Sequence, residues 1–269
     1  MLALIFAAGL GTRLRPLTDT MPKALVPLAG KTLLEYQICK LKAAGITDII
    51  VNVHHFPDMI IDYLRAHDNF GCNIMISDER EQLLDTGGGL LKAWSTFAAD
   101  SQEPFLALNV DILSTIRIED VLAQYQKYVQ LPTAQRSNLQ QRSGLLGLLV
   151  VSDRQTQRYL CFDDTNRLIG WTNIATGETK PASFANIKHQ TSNIKHLAFS
   201  GMQLLSPAFL PLLKAYQAQS CDKFSVIDFY LHVVEHQAGS LYAFPHNAPM
   251  MDVGKIDHLA EAEAFAQTL

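Results

Sequence analysis

LALIFAAGLGTRLRPLT, Leu2–Thr18, is the stretch that decides how this chain folds. Its first part, Leu2–Ala7, is a continuous apolar run, which fits a strand buried on both faces in a parallel sheet. The run starts without a basic segment and passes straight into Gly-Thr-Arg, so it reads as a strand and not as a signal peptide. Gly9 and Gly11 follow, and they let the backbone approach a phosphate closely and aim N–H groups at it. Arg13, Arg15 and Lys23 add positive charge. In open α/β sheets ligands bind beyond the carboxyl ends of the strands, and this loop leaves from such an end. It suits a triphosphate.

Two phosphate motifs fail against it. A dinucleotide fingerprint needs a third glycine where Leu14 stands, and the second strand ends at Val53-His54 without an acid for a ribose. A Walker A motif ending at Gly30-Lys31-Thr32 lacks its first glycine, because Leu25 stands there. Gly30-Lys31-Thr32 therefore reads as a turn opening a helix.

Outward from the loop, strands and helices alternate. Thr32–Ala44 has helical period, with Leu34, Ile38 and Leu41 on one face and Gly45 as its stop. Asp48–Val53 reads as a strand, Phe56–Ala66 as a helix, Asn73–Ser77 as a strand, Leu90–Ala98 as a helix and Pro104–Asn109 as a strand. This alternation predicts a mixed, mainly parallel central sheet with helices on both faces. The second half predicts a long strand at Gly144–Val151, a hairpin over Tyr159–Trp171 turning at Asp163–Asn166, and strands at Leu197–Leu205 and Leu241–Phe244. Helices are expected at Pro207–Gln217, Ser225–Gln237 and Ile256–Gln267. Gln130–Ser143 and Ala175–Asn193 read as surface insertions.

The 269 residues, 48% hydrophobic and 18% charged, suit one α/β domain with a sizeable core. A net charge of −4 argues against a broad nucleic-acid surface while leaving room for a local basic pocket. Cys39, Cys72, Cys161 and Cys221 form no CxxC pair and read as reduced thiols of a cytosolic protein. No window reaches the ~18 apolar residues of a membrane span. A cytoplasmic enzyme is expected, without nucleic-acid or membrane partners, and either monomer or dimer.

The string A-A-G-x-G-T-R-L-R-P-L-T, then P-K, then L-x-P-x-x-G-K-x-L-x-E, from Ala7 to Glu35, resembles the signature of the sugar-1-phosphate nucleotidyltransferases. The resemblance implies a Rossmann-like core of the nucleotide-diphospho-sugar transferase type and a single domain. Within it, residues 1–128 would be a nucleotide-binding half, 144–269 a sugar-binding half and 129–143 a surface insertion. It implies that Ala8, Gly9, Gly11 and Thr12 contact the nucleotide, that Arg13 holds the β- and γ-phosphates, and that Lys23 sits against the α-phosphate. Thr86, Gly87 and Gly88 would recognise the base, with Glu79 or Glu81 nearby. A triple glycine at a helix N-terminus offers open N–H groups and room for a flat base. Asn109, Ser200 and Gly201 would line the sugar.

Magnesium prefers carboxylate and phosphate oxygens and keeps several waters. Asp111 follows the fourth strand and so emerges at the same sheet edge as the glycine loop. Met250-Met251-Asp252-Val253-Gly254 resembles the family's W-x-D-x-G-T element, which implies Asp252 as the second magnesium ligand. The family usually has a small residue before the first aspartate, where this chain has Val110. Its Glu-Lys-Pro element is absent, and Trp171-Thr172-Asn173 occupies about that place. The compact second half, the triple glycine and Met-Asp-Val-Gly look most like the N-acetylmuramate-1-phosphate uridylyltransferases of cell-wall recycling. A mannose- or glucose-1-phosphate transferase using GTP or UTP is the alternative within the class. A non-catalytic nucleotide-binding regulator is the alternative outside it, disfavoured because a mere binder need not keep both acids.

His54-His55 lacks the spacing of a helical metal site and reads as a loop feature. Asp163-Asp164 reads as a turn, and Glu261 and Glu263 as a solvated helix face.

Overall fold

The computed structural model describes residues 1–130, 144–184, 193–236 and 239–269. The chain begins with β1 (Leu2–Phe6), then a two-residue-per-strand hairpin of β2 (Pro27–Leu28) and β3 (Lys31–Thr32). Next come α1 (Leu33–Ala43), β4 (Asp48–Val53), α2 (Pro57–Ala66), β5 (Asn73–Asp78), α3 (Asp85–Phe97) and β6 (Phe105–Asn109). β4 and β6 flank β1 in parallel, and β5 lies parallel beyond β4. The apolar runs of the first half are thus the parallel side of the sheet, with β5 at its edge.

Alternate residues of β1 feed two cores. Ala3 and Ile5 pack with α1 residues such as Leu34 and Ile38, while Leu4 packs with Leu90 and Trp94 of α3. Helices therefore cover both faces. Each fully buried large apolar side chain adds about 1.5–3 kcal/mol relative to exposure.

β7 (Ile112–Ser114) and α4 (Ile118–Gln130) follow, then β8 (Leu145–Ser152), β9 (Arg158–Phe162), β10 (Leu168–Asn173), β11 (Thr179–Lys180) and β12 (Lys195–Leu205). α5 (Phe209–Gln219), α6 (Val226–His236), β13 (Ser240–Pro245), β14 (Met250–Asp252) and α7 (Leu259–Ala266) complete the described chain. β12 joins the halves: it pairs antiparallel with β6 on the first-half side and with β8 and β9 on the other. β13 adds to β8 in parallel. The architecture is the mixed, mainly parallel-centred sheet expected. Among the described residues no helix is long and apolar enough to cross a membrane.

Several boundaries differ from expectation. α3 starts at Asp85, five residues before the expected Leu90, so the three glycines lie inside its first turns. Glycine costs about 1 kcal/mol against alanine in a helix. Packing offsets it here: Gly87 and Gly88 N–H both donate to the Phe224 carbonyl, and Cβ atoms at these positions would collide with the Phe224 ring and the Asp222 carbonyl. Of Gly30-Lys31-Thr32, Gly30 closes the β2–β3 turn with Ala29, both at positive φ, Lys31-Thr32 form β3, and Thr32 then caps α1 by accepting from Glu35 N–H at 3.1 Å. The expected insertion at 129–143 loses Val129 and Gln130 to α4, and the rest of it lies outside the described residues. In the other expected insertion, β11 pairs with β10 and Phe184 is buried beside Cys161 and Ile169, so residues 175–184 belong to the sheet edge; residues 185–192 lie outside the described residues.

Candidate active site

The loop after β1 hangs from one side chain. Asn52, 3% exposed in the middle of the apolar β4, accepts from Ala7 N–H at 2.7 Å and Ala8 N–H at 3.2 Å through Oδ1. Its Nδ2 donates to Glu79 Oε1 at 2.8 Å, and Glu79 Oε2 accepts from Leu84 N–H at 3.2 Å. Burial pushes the Glu79 carboxyl above the usual carboxylate range, and the donors Asn52 and Leu84 oppose that shift. This buried chain ties the glycine loop to the start of α3. Ala8 therefore spends its N–H inward, on Asn52.

Gly9, Leu10 and Gly11 N–H have no acceptor among the described residues. Gly11 sits at φ +65, and a Cβ there would come within 2.8 Å of Thr18 Cγ2, so only glycine fits. Thr18 Oγ1 donates to the Gly11 carbonyl at 2.9 Å and Leu14 N–H does so at 2.8 Å, which fixes the turn.

The loop forms one wall of a cleft of about 450 Å³ at the carboxyl edge of the parallel strands. Ala8, Gly9, Gly11, Thr12, Arg13, Lys23, Thr86, Asn109 and Asp111 all face it. Lys23, 8% exposed, forms an ion pair with Asp111 Oδ2. Asp252 is brought beside Asp111 by a short ladder: β14 pairs with β7 so that Asp252 opposes Ile112, and Val253 N–H donates to the Asp111 carbonyl at 2.8 Å. Gly254 then reaches the cleft wall, and its missing side chain leaves room for two groups. A Cβ there would lie 2.6 Å from Asp252 Oδ1 and 2.8 Å from Arg13 Nη2. Asp252 Oδ1 is buried with no hydrogen-bond partner. Asp111 lines the cleft and Asp252 is not among its lining residues, but the backbone ladder sets Asp252 beside Asp111 at the cleft wall, and an orphaned carboxylate oxygen there fits a hard cation that takes one or two acids and completes its shell with phosphate oxygens and water. Among the described residues no cluster of three or more metal-binding side chains exists.

Other expected residues fall elsewhere. Gly87 and Gly88 are buried, and their N–H groups, expected to be open, are consumed by the Phe224 carbonyl. They serve the packing of α3, because tertiary contacts take up the donors that an isolated helix end would leave free. Ser200 is buried and its Oγ lies 2.9 Å from His246 Nε2. Gly201 packs on Asn109, and a methyl added at Gly201 would lie 3.3 Å from Asn109 Cβ. Glu81 is exposed, whereas Glu79 lies under the cleft. Val110 faces the cleft and donates its N–H to the Phe6 carbonyl at 3.2 Å.

His54 Nδ1 and His55 Nε2 contact the Glu79 and Thr18 carbonyls, so both belong to the loop scaffold. Asp163 Oδ1 accepts from Thr165 and Arg167 N–H in the expected turn. Glu263, expected to be solvated, instead accepts from Ala29 N–H at 2.8 Å across 234 residues of sequence.

Two lining residues, Lys223 and Asn52, lie outside the expected set. Lys223 reaches the cleft because the α3 glycines admit residues 222–224 against the helix. Asn52 could have been found: a polar residue inside an apolar strand must have a buried partner.

Residues 2–156, more than half of the chain, match the family model described as Nucleotidyl transferase. The chain is 46% identical over 112 residues to the N-acetylmuramate alpha-1-phosphate uridylyltransferase of Caulobacter vibrioides, covering 41% of this chain and 45% of that protein. It is 42% identical over 129 residues to the mannose-1-phosphate guanyltransferase of Gibberella zeae, covering 48% of this chain and 35% of that one. The match thus spans less than half the length of either relative. A solved UDP-glucose pyrophosphorylase in complex with UDP-glucose superposes with a TM-score of 0.68 at 17% identity, covering 100% of this chain and 99% of that one.

Proposed function

This chain belongs to the nucleotidyl transferase family, and we propose that it joins a nucleoside triphosphate to a sugar 1-phosphate, giving a nucleotide sugar and pyrophosphate. The proposed substrates are UTP and N-acetylmuramate 1-phosphate, the pair suggested by the Caulobacter vibrioides relative's name. The observation that carries this reading is the Lys23–Asp111 pair facing the glycine loop across one cleft, with the unpartnered Asp252 Oδ1 beside Arg13.

The chemistry follows from charge. A phosphate oxygen of the sugar 1-phosphate attacks the α-phosphorus, and the bond from that phosphorus to the bridging oxygen of the departing pyrophosphate breaks. The nucleophile is already anionic, so no general base is needed. Positioning and charge neutralisation supply the rate. The free N–H groups of Gly9, Leu10 and Gly11 hold the triphosphate. Lys23 lies against the α-phosphate and Arg13 takes the charge of the leaving pyrophosphate. Asp111 and Asp252 would hold magnesium, which supplies further charge neutralisation at the phosphates when bound. Thr86, Lys223 and Asn109 line the cleft; in this reading Thr86 and Lys223 meet the base and Asn109 the acceptor sugar.

A second reading, guanylyl transfer to mannose 1-phosphate, draws on the Gibberella zeae relative. Four triphosphates assayed against several sugar 1-phosphates for pyrophosphate release decide between them. Turnover is expected with UTP and N-acetylmuramate 1-phosphate and requires a divalent cation. No pyrophosphate from any pair would leave a nucleotide-binding regulator as the better reading.

A further inference from the structure

A second cavity, of about 350 Å³, opens in the other half of the molecule. Its wall carries three cations, Arg154, Arg158 and Lys180, with the rings of Trp171 and Phe199. Asp228 is the one acid facing it among the described residues.

The cations are not used up by the fold. Arg158 is exposed, and its guanidinium has no hydrogen-bond or ion-pair partner among the described residues. Arg154 is half-buried; it donates through Nη2 to the Phe199 carbonyl at 3.1 Å, but its buried Nε has no partner. Lys180 pairs with the exposed Glu178 at 3.1 Å and lies 5.5 Å from the centre of the Trp171 ring. A buried guanidinium N–H left without an acceptor is costly unless a ligand satisfies it.

Two chain segments run from this cavity to the cleft. Phe199 faces the cavity, and two residues on, Gly201 packs against Asn109 of the cleft. Ser225 faces the cavity, and two residues before it Lys223 faces the cleft. Two residues span at most about 7 Å, so the two walls adjoin at two separate points. One of these points is Asn109, the cleft residue that the reading above gives to the acceptor.

We propose that this cavity receives a carboxylate carried on the ring of the sugar 1-phosphate, so that the acceptor is an acidic sugar phosphate. The inference rests on the acceptor reading above and adds to it the residues that would select the carboxylate. A guanidinium matches a carboxylate with two parallel N–H donors. Arg158 supplies that fork, Arg154 Nε–H adds a donor, and Trp171 gives the sugar face an apolar surface. N-acetylmuramate is N-acetylglucosamine with a lactyl ether that bears such a carboxylate, so the two phosphates form a pair differing at the group in question.

The test compares kcat/KM for N-acetylmuramate 1-phosphate, its lactyl amide and N-acetylglucosamine 1-phosphate, in wild type and in Arg158→Gln. The acid-over-amide and acid-over-N-acetylglucosamine ratios are expected to fall on the order of 10- to 100-fold in the variant, the loss of a charge-assisted hydrogen bond. Ratios that stay put while turnover continues overturn the proposal. A binding measurement separates failure of the carboxylate site from failure of the transfer reaction. The chain has two tryptophans, and Trp94 is buried, so ligand-dependent emission reports on Trp171. Absence of turnover with every sugar phosphate defeats the transferase reading. In that case, quenching selective for the acid and lost in Arg158→Gln still supports the carboxylate site, and equal quenching by acid and amide defeats it.

Discussion

Gly9 and Gly11 stand at the lip of the cleft, whereas Gly87, Gly88 and Gly89 are buried in the first turns of α3. Both stretches look like phosphate or base cradles in the sequence. In the first, the backbone N–H groups stay free, and a methyl added at Gly9 would meet nothing within 4 Å. In the second, N–H groups are bound to Phe224, and an added methyl at Gly89 would stand 2.8 Å from Glu79 Oε1. Glycine at the first site gives a ligand access to the backbone; glycine at the second lets a helix press against residues 222–224 and a buried carboxylate. The two regions should therefore fail differently when changed, one losing activity and the other stability.

The largest effect belongs to the first region. The Arg13 guanidinium packs at Gly254, where an added Cβ would stand 2.8 Å from Arg13 Nη2 and 2.6 Å from Asp252 Oδ1. Arg13→Ala is expected to lower kcat on the order of 10³-fold, as for other cations that neutralise a leaving phosphate. Its melting temperature should match that of wild type, because no ion pair of Arg13 holds the described fold. A variant that melts early but turns over normally would reverse the comparison.

Gly88→Ala probes the second region. The new Cβ meets the backbone carbonyl of Asp222, which cannot rotate away. Overpacking of this kind costs about 1–3 kcal/mol, a fall in Tm of roughly 2–10 °C. Calorimetry measures it, and an unchanged Tm would mean that residues 222–224 do not rest on the helix as described.

These differences bear on how much can be read from the chain alone. Leu2–Thr18 announces its own role, because an apolar strand, two glycines and two arginines are local features. The β4 strand is equally legible, and its boundaries match those expected from Asp48 to Val53. The ladder that carries Asp252 to Asp111 is not: β7 and β14 have three residues each, too few to make a period, and their pairing joins positions about 140 residues apart. Convergence of the two acids can be expected only through a family resemblance. The early start of α3 is hidden for a related reason. Glycine propensity argues against a helix, and the contact that outweighs it comes from Phe224, remote in sequence. Phe184 and Glu263 read as surface residues because nothing near them in the sequence points to their partners, Ile169 and Ala29.

Glu79 links the two regions, and its burial makes it a titrating group. Its carboxyl is raised above the ordinary 4.5 by burial, so the native protein keeps this proton at pH values where the unfolded chain has released it. The stability gained is complete below 4.5 and is lost as pH rises through the raised native value. Glu79→Gln removes that dependence. The wild-type Tm should fall relative to the variant as pH rises above about 4.5, as read by thermal melts across a pH series. Parallel curves would place the Asn52–Glu79 chain in contact with solvent.

The smallest effect is expected at Gly9, and it sharpens the comparison most. Its φ lies outside the left-handed region and its side-chain direction is open, so alanine fits without strain. Replacing glycine at such a site restricts the unfolded chain, and the fold should gain about 0.4–1 kcal/mol. The methyl nevertheless stands on the wall where a phosphate must approach the backbone. The KM for the triphosphate is expected to rise about fivefold, the loss of one ordinary hydrogen bond, with kcat nearly unchanged because Arg13 and Lys23 are untouched. Titration of turnover against UTP and a thermal melt of the same preparation measure both halves of this claim. A Gly9→Ala protein with weaker melting and unaltered KM would make the two glycine stretches alike after all, and the free N–H groups at Gly9–Gly11 would then need another purpose.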